Sequence, residues 1–422
     1  MRCLFAAVLL AAIATPALAN DAVTSLTTSV SGPGWTRDRV LQRGISLSAG
    51  DPFDARRLWE DLARLRNSEL FQTVTATVSK TSDGVALAVT ATDRFSLIPV
   101  FEPTFGGDVF QVTAGLRDAN FLGLAQDMTL YGGLFARGDV RGPIVGGQWI
   151  HRQIAGRHTL AVIADLSQTD ALFFDAAGRT VESYDVRSAS GLLQGILKSK
   201  RGLEPGAYTG WSGRWADAVI PSTTGTAAVP AVRQDILLGM TLRLGSVDYD
   251  AFLYNGCDVV FDLVQRIRVR GGRGYPALTV QGRAFNRPLP WLNLAARVRI
   301  AGRLNEQRAD DLAWGGFSEV RGIASGRLRG RLGALVNAEA RATIARRLWN
   351  TFFIQTAVFC DGAATRRSLR GSRAADAAGS CGLGFRGSIH QLAGVFGRID
   401  LAFAIDSAGV HPGINFGVRQ FF

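Results

Sequence analysis

Val336-Asn337-Ala338-Glu339-Ala340-Arg341-Ala342-Thr343-Ile344 alternates residue by residue. Val336, Ala338, Ala340, Ala342 and Ile344 share one face, and Asn337, Glu339, Arg341 and Thr343 share the other, the period of a β-strand. In a soluble sheet such a division means polar side out and core side in. Here it recurs strand after strand with long arginine-bearing polar faces. That suits a closed barrel with lipid outside and water inside. Upstream stands Gly315-Gly316-Phe317-Ser318-Glu319-Val320-Arg321-Gly322-Ile323, and downstream Phe359-Cys360-Asp361-Gly362. If the long loop carrying Arg321 folds inward, its guanidinium needs a carboxylate. Glu339 and Asp361 are the nearest inward-facing candidates.

The same division appears elsewhere. Leu292, Leu294, Ala296, Val298 and Ile300 oppose Asn293, Arg297 and Arg299, and Ile399, Leu401, Phe403 and Ile405 oppose Arg398, Asp400 and Asp406. If there are sixteen strands of about 9–11 residues, the chain from Phe95 onward allows roughly 20 residues for each strand with its connection. They centre on 98–105, 109–115, 128–135, 145–151, 159–165, 184–193, 208–215, 236–249, 258–268, 277–285, 291–300, 332–343, 351–361, 380–386, 396–405 and 414–422. The long connections around 216–232, 301–331 and 362–379 fall on one end, which would be extracellular. Asn255-Gly256 and Arg287-Pro288-Leu289-Pro290 read as tight turns on the other. In the first segment Pro99 and Pro103 each remove an amide donor.

At the other end of the chain, Met1-Arg2, the apolar run from Leu4 to Ala14 and Ala17-Leu18-Ala19 read as a secretory signal peptide, residues 1–19. Downstream of it no stretch of about 18 apolar residues predicts a transmembrane helix. Residues 20–94 read as one small α/β unit in the order strand, helix, helix, strand, strand. Thr36 is expected to cap a short helix. Asp54 is expected to cap a second, whose Leu58, Leu62 and Leu65 form an apolar stripe.

The net charge of +12 is almost all arginine, since lysine occurs only at 80, 198 and 200. In an exported chain whose arginines alternate with apolar residues, these are lumen and rim charges, attractive to anionic headgroups or an acidic solute, and nucleic acid is excluded as a partner. After Cys3 leaves with the signal peptide, Cys257, Cys360 and Cys381 remain. Cys360 and Cys381 would flank one loop on adjacent strands, either bonded or as two thiols. No Cys and His spacing suits a metal, and no cofactor is expected. No nucleophile–base pair, phosphate loop or paired carboxylates point to catalysis.

The ordered motifs Gly-Gly-x-x-Ser-x-Val-Arg-Gly, Glu-x-Arg and Phe-x-Asp-Gly resemble the signature of the BamA and two-partner-secretion transporter superfamily. Ile323 stands where that family usually has an aromatic, and Ala363 where the acid motif often ends in glycine. The resemblance implies a mainly β fold: a sixteen-stranded antiparallel transmembrane β-barrel over residues 95–422, preceded by one small α/β POTRA domain over residues 20–94. It implies an outer-membrane location with the POTRA domain in the periplasm. It assigns Val320, Arg321 and Gly322 to a loop tucked into the lumen, with Glu339 and Asp361 as partners of the arginine. The C-terminal Phe416, Val418 and Phe422 resemble the targeting signal of outer-membrane barrels. The implied function is to insert barrel proteins or translocate an extended client protein, with unfolded polypeptide, outer-membrane lipid and accessory periplasmic proteins as partners. A passive, anion-favouring pore without insertase activity is the alternative.

Overall fold

The computed structural model describes residues 21–66, 68, 70–154, 158–175, 177–198, 202–221, 229–250, 253–305, 307–349, 352–367, 376–389 and 396–418. Residues 1–19, expected to be a leader, and Phe422 of the expected targeting signal lie outside them. The chain divides into two compact units.

In the N-terminal unit, strand β1 (Val23–Ser31) is followed by helices α1 (Asp38–Gly44) and α2 (Ala55–Arg66) and strands β2 (Phe71–Thr81) and β3 (Gly84–Asp93). The sheet order is β1-β3-β2, with β1 parallel and β2 antiparallel to β3. Leu58, Leu62 and Leu65 pack on Val85, Leu87 and Val89, all buried. Asp54 caps α2 by accepting from the amides of Arg56 and Arg57 at 2.9 and 3.1 Å. Thr36 caps nothing. Arg37 occupies the cap position of α1 without a side-chain bond. The Thr36 amide and hydroxyl are instead held by the buried Asp93 carboxylate at 2.7 and 2.6 Å. A charge-assisted tertiary bond wins over a local cap.

The barrel has sixteen strands. They are β4 (Leu97–Gly106), β5 (Val109–Phe121), β6 (Gln126–Arg137), β7 (Val140–Ile154), β8 (His158–Phe174), β9 (Thr180–Leu197), β10 (Leu203–Ile220), β11 (Val232–Asp250), β12 (Leu253–Arg270), β13 (Tyr275–Leu289), β14 (Leu292–Arg303), β17 (Leu332–Leu348), β18 (Phe352–Arg366), β19 (Asp376–Ile389), β20 (Phe396–Asp406) and β21 (Gly409–Val418). Between β14 and β17 a short ladder of β15 (Leu312–Trp314) and β16 (Leu328–Gly330) belongs to the long loop.

Each of the sixteen expected segments overlaps one of these strands, the last as far as Val418 with 419–422 outside the described residues, but many strands are longer than expected. β11 has 19 residues, so its ladder runs well past the 9–11 that cross a bilayer. For the same reason Asn255-Gly256 is not a turn. Asp248 pairs with Asn255 and Val247 with Gly256, and the strands continue to Asp250 and Leu253.

Burial is inverted relative to a soluble protein. Ile399, Leu401, Phe403 and Ile405 are exposed on the outer face, while Arg398, Asp400, Ala402 and Ala404 are buried inside. The largest fully buried side chains include Arg321, Arg341 and Arg386. An apolar exterior around a charged interior is stable only with lipid outside, which makes this a transmembrane barrel.

Candidate functional site: an arginine docked in the lumen

The connection from β14 to β17 leaves through β15 and returns through β16, and its tip, residues 315–327, sits against the inner wall. Its base is apolar: Trp314, Val320, Ile323 and Leu328 pack with Leu335, Ala363 and Ala404 of the barrel. Ile323 and Ala363, the two departures from the family motif, therefore share one buried cluster. Gly322 has φ +84°, and a Cβ there would stand 3.1 Å from that of Ala404 and 3.2 Å from that of Ala402. Both its backbone conformation and its close approach to β20 call for glycine.

Arg321 is fully buried. Its Nε and Nη2 grip Asp361 in a fork, at 2.7 and 2.8 Å, and its backbone amide donates to the same carboxylate at 3.2 Å. Nη1 donates to Glu339 at 2.6 Å and to Asp400 at 3.4 Å. The guanidinium lies over the Phe359 ring. Burial works against the charge, but the Asp361, Glu339 and Asp400 carboxylates outweigh it and hold Arg321 above its ordinary pKa.

The acids are themselves held. Glu339 accepts from Arg341 at 2.6 Å and from Arg386 at 3.1 Å, and Arg386 also donates to Asp400 at 2.5 Å. Asn337 donates to Asp361 and to the Glu319 carbonyl, at 2.8 and 2.7 Å. Arg297 and Arg398 clasp the loop backbone through the carbonyls of Ser318 and Phe317, at 2.7 and 2.8 Å. Three carboxylates and three arginines, Arg321, Arg341 and Arg386, thus form a dry network across β17 to β20 and the loop.

The structure brings Val320, Arg321, Gly322, Glu339 and Asp361 together at this one place. Phe416 and Val418 lie elsewhere, on the last strand, opposite Ile399 and Gly397. Asp400, Arg341 and Arg386 were not singled out from sequence as partners of the loop arginine. Their signal was inward parity on strands next to the motif strands.

Among the described residues, the register between β21 and β4 is the single pair Phe416 opposite Phe105. The Ala119 amide donates to the Ser96 carbonyl at 3.0 Å, so even-numbered residues of β4 address β5. The odd-numbered ones, including Pro99 and Pro103, face the β21 side. Both prolines lie within the strand, and the Phe416–Phe105 register carried along it sets Pro103 opposite Val418, the last described residue of β21, so that its missing donor falls on the seam.

No family model and no curated protein matches the chain. Solved structures do. BamA from Haemophilus ducreyi lacking POTRA domains 1–3 aligns over 94% of this chain and 84% of its own, with a TM-score of 0.59 and 13% identity. CdiB from Acinetobacter baumannii aligns over 95% and 74%, with a TM-score of 0.64 and 13% identity. CdiB from Escherichia coli aligns over 93% and 76%, with a TM-score of 0.65 and 12% identity.

Proposed function

We propose, for a chain with the fold of BamA and CdiB, that it handles polypeptides in the outer membrane, either inserting β-barrel proteins or translocating an extended client. On this reading residues 1–19 are a leader, residues 20–94 a periplasmic POTRA domain and residues 95–422 the barrel. The single observation that carries it is the seam. A closed barrel with proline nitrogens turned toward its closing strand has given up ladder bonds where a client strand would pair. Lipid penalises an unpaired edge, so such a seam opens only when another strand takes its place. The edge strands β1 and β2 of the N-terminal sheet offer a second template for an extended client. Docked Arg321 is the brace that keeps the neighbouring wall in one geometry while the seam works. Outer-membrane lipid, client polypeptide and accessory periplasmic proteins are the partners.

A second reading, an anion-favouring pore, draws on the arginine-rich lumen. The two separate in proteoliposomes holding the full chain with Phe105→Cys and Phe416→Cys. Oxidation that staples the seam should abolish insertion of an unfolded client barrel, and reduction should restore it. Unchanged insertion with the seam bonded refutes the polypeptide reading. Anion-selective conductance that survives the staple, with no client insertion in either state, establishes the pore.

A further inference from the structure

Away from the Arg321 network, two cavities of about 290 and 320 Å³ adjoin inside the long-connection end of the barrel, sharing Phe173 and Arg329 in their walls. The first is lined by Arg214, Arg233, Arg303 and Arg329, with Asp170 and Asp311 as its carboxylates. Two acids do not match four arginines. Asp170 is paired with Arg137, outside the wall, at 3.4 Å, and Asp311 accepts from the neutral Asn305 at 2.8 Å. Arg233 is paired with Asp235 and Asp310.

Among the described residues, the remaining arginines have no carboxylate of their own. Arg303 donates to the carbonyls of Asp310 and Asp311 at 2.8 and 3.1 Å, and Arg329 to that of Leu172 at 3.0 Å. Burial pushes Arg329 down to about 10, with Asp311 too weak to offset it. Arg214 stands directly opposite Arg233 in the β10–β11 ladder. Like charges directly opposite destabilise a sheet, and since Arg233 has Asp235 and Asp310, the unmatched charge of this pair is that of Arg214. The second cavity has Arg308, Arg327, Arg329 and the exposed Arg367 in its wall against two carboxylates, Asp175 and Asp376. Asp175 is already bonded to Arg179 at 2.8 Å, while Arg308 reaches Glu182 at 3.5 Å and Arg327 reaches Asp406 at 2.9 Å.

We infer that these adjoining chambers form a binding site for a phosphate-bearing anion, one group in the Arg214–Arg303–Arg329 chamber and a second toward Arg367. Guanidinium forks arriving from several strands suit a tetrahedral group with three or four acceptor oxygens better than a planar carboxylate with two. Arg329, on the shared wall and stacked 4.3 Å from the Phe173 centroid, serves both chambers. The inference stands independently of whether the barrel handles polypeptides.

The test uses the purified full chain in detergent, titrated with inorganic pyrophosphate and with monophosphate against chloride at matched ionic strength, and read by calorimetry. Saturable binding is expected, with pyrophosphate tighter. Arg214→Gln should weaken both ligands about tenfold, the scale of one lost charged hydrogen bond. Arg367→Gln should weaken pyrophosphate only. Asp311→Asn, which keeps an acceptor for Asn305 but removes the repelling charge, should tighten both, an outcome that misfolding does not mimic. To distinguish the source, the titration is repeated in phosphatidylcholine nanodiscs with and without phosphatidic acid. Loss of pyrophosphate binding with phosphatidic acid identifies a lipid headgroup, and unchanged binding a soluble phosphate. Binding that chloride matches, or that none of the three variants alters, overturns the site.

Discussion

The guanidinium carbon of Arg321 stands 3.4 Å from the centroid of the Phe359 ring. The ring itself is laid over the neighbouring strand at Gly382, its cross-strand partner, where a Cβ would come within 2.6 Å of Phe359 Cζ. Glycine, phenylalanine and arginine thus stack from the wall inward. The stack fixes the arginine's plane and turns its fork toward Asp361, which no point charge would require.

Arg321→Lys should therefore behave as a severe change. Lysine keeps the charge but loses the fork and most of the stacking. Arg321→Ala leaves Asp361 and Glu339 facing each other in a dry site and should cost about 3–5 kcal/mol. Asp400→Asn, which weakens the 2.5 Å bond from Arg386 and the 3.4 Å contact with Arg321 but leaves the fork on Asp361 whole, should loosen the docked loop less than Asp361→Asn. Urea unfolding in lipid, followed by heat-modifiable gel mobility, orders the series. A lysine variant as stable as the parent would contradict the stacking argument.

Gly382→Ala should disturb the dock without touching a charge. The added methyl meets Phe359 Cζ and the Leu401 carbonyl oxygen. An overpacked site of this kind costs about 1–3 kcal/mol. Phe359→Leu in the same chain should recover part of it, since only the ring half of the clash is relieved. The double-mutant cycle measures this, and strict additivity would mean that ring and glycine are independent.

Cys360 and Cys381 are bonded, directly opposite each other on β18 and β19 and adjacent in sequence to the Asp361 and Gly382 of the dock. The bond closes a loop of 21 residues and should contribute about 3 kcal/mol by restricting the unfolded chain. Reductant should lower the urea midpoint of the parent and of Cys257→Ser, but not of Cys360→Ser/Cys381→Ser. A midpoint insensitive to reductant in the parent would show that the staple contributes nothing.

Replacing Pro99 and Pro103 together by valine should return two amide donors to β4, the one at 103 opposite Val418 across the seam. Each restored ladder bond contributes about 0.5–1.5 kcal/mol. The barrel should become more resistant to urea, and client insertion, if it uses the seam, should slow. When Phe105→Cys and Phe416→Cys are added to the same chain, oxidative cross-linking between the two new thiols should also quicken as the seam closes. Equal stability and equal cross-linking would show that the prolines do not weaken this edge.

The sixteen-stranded count came with the family resemblance, whereas alternation by itself told which face each strand residue takes, and with it the inward direction of Arg297, Glu339, Asp361 and Asp400. That much is local, because the pleat has a period of two whatever the neighbouring strand does. Height along the barrel is not local. It depends on the register between strands, and register alone put Asp400 and Arg386 level with Arg321, set Gly382 under Phe359, joined Cys360 to Cys381 and set Pro103 opposite Val418 at the seam. The surplus arginine of the two chambers was likewise visible as composition, but only the closed sheet gathers residues as distant as Arg214, Arg303 and Arg329 around one space.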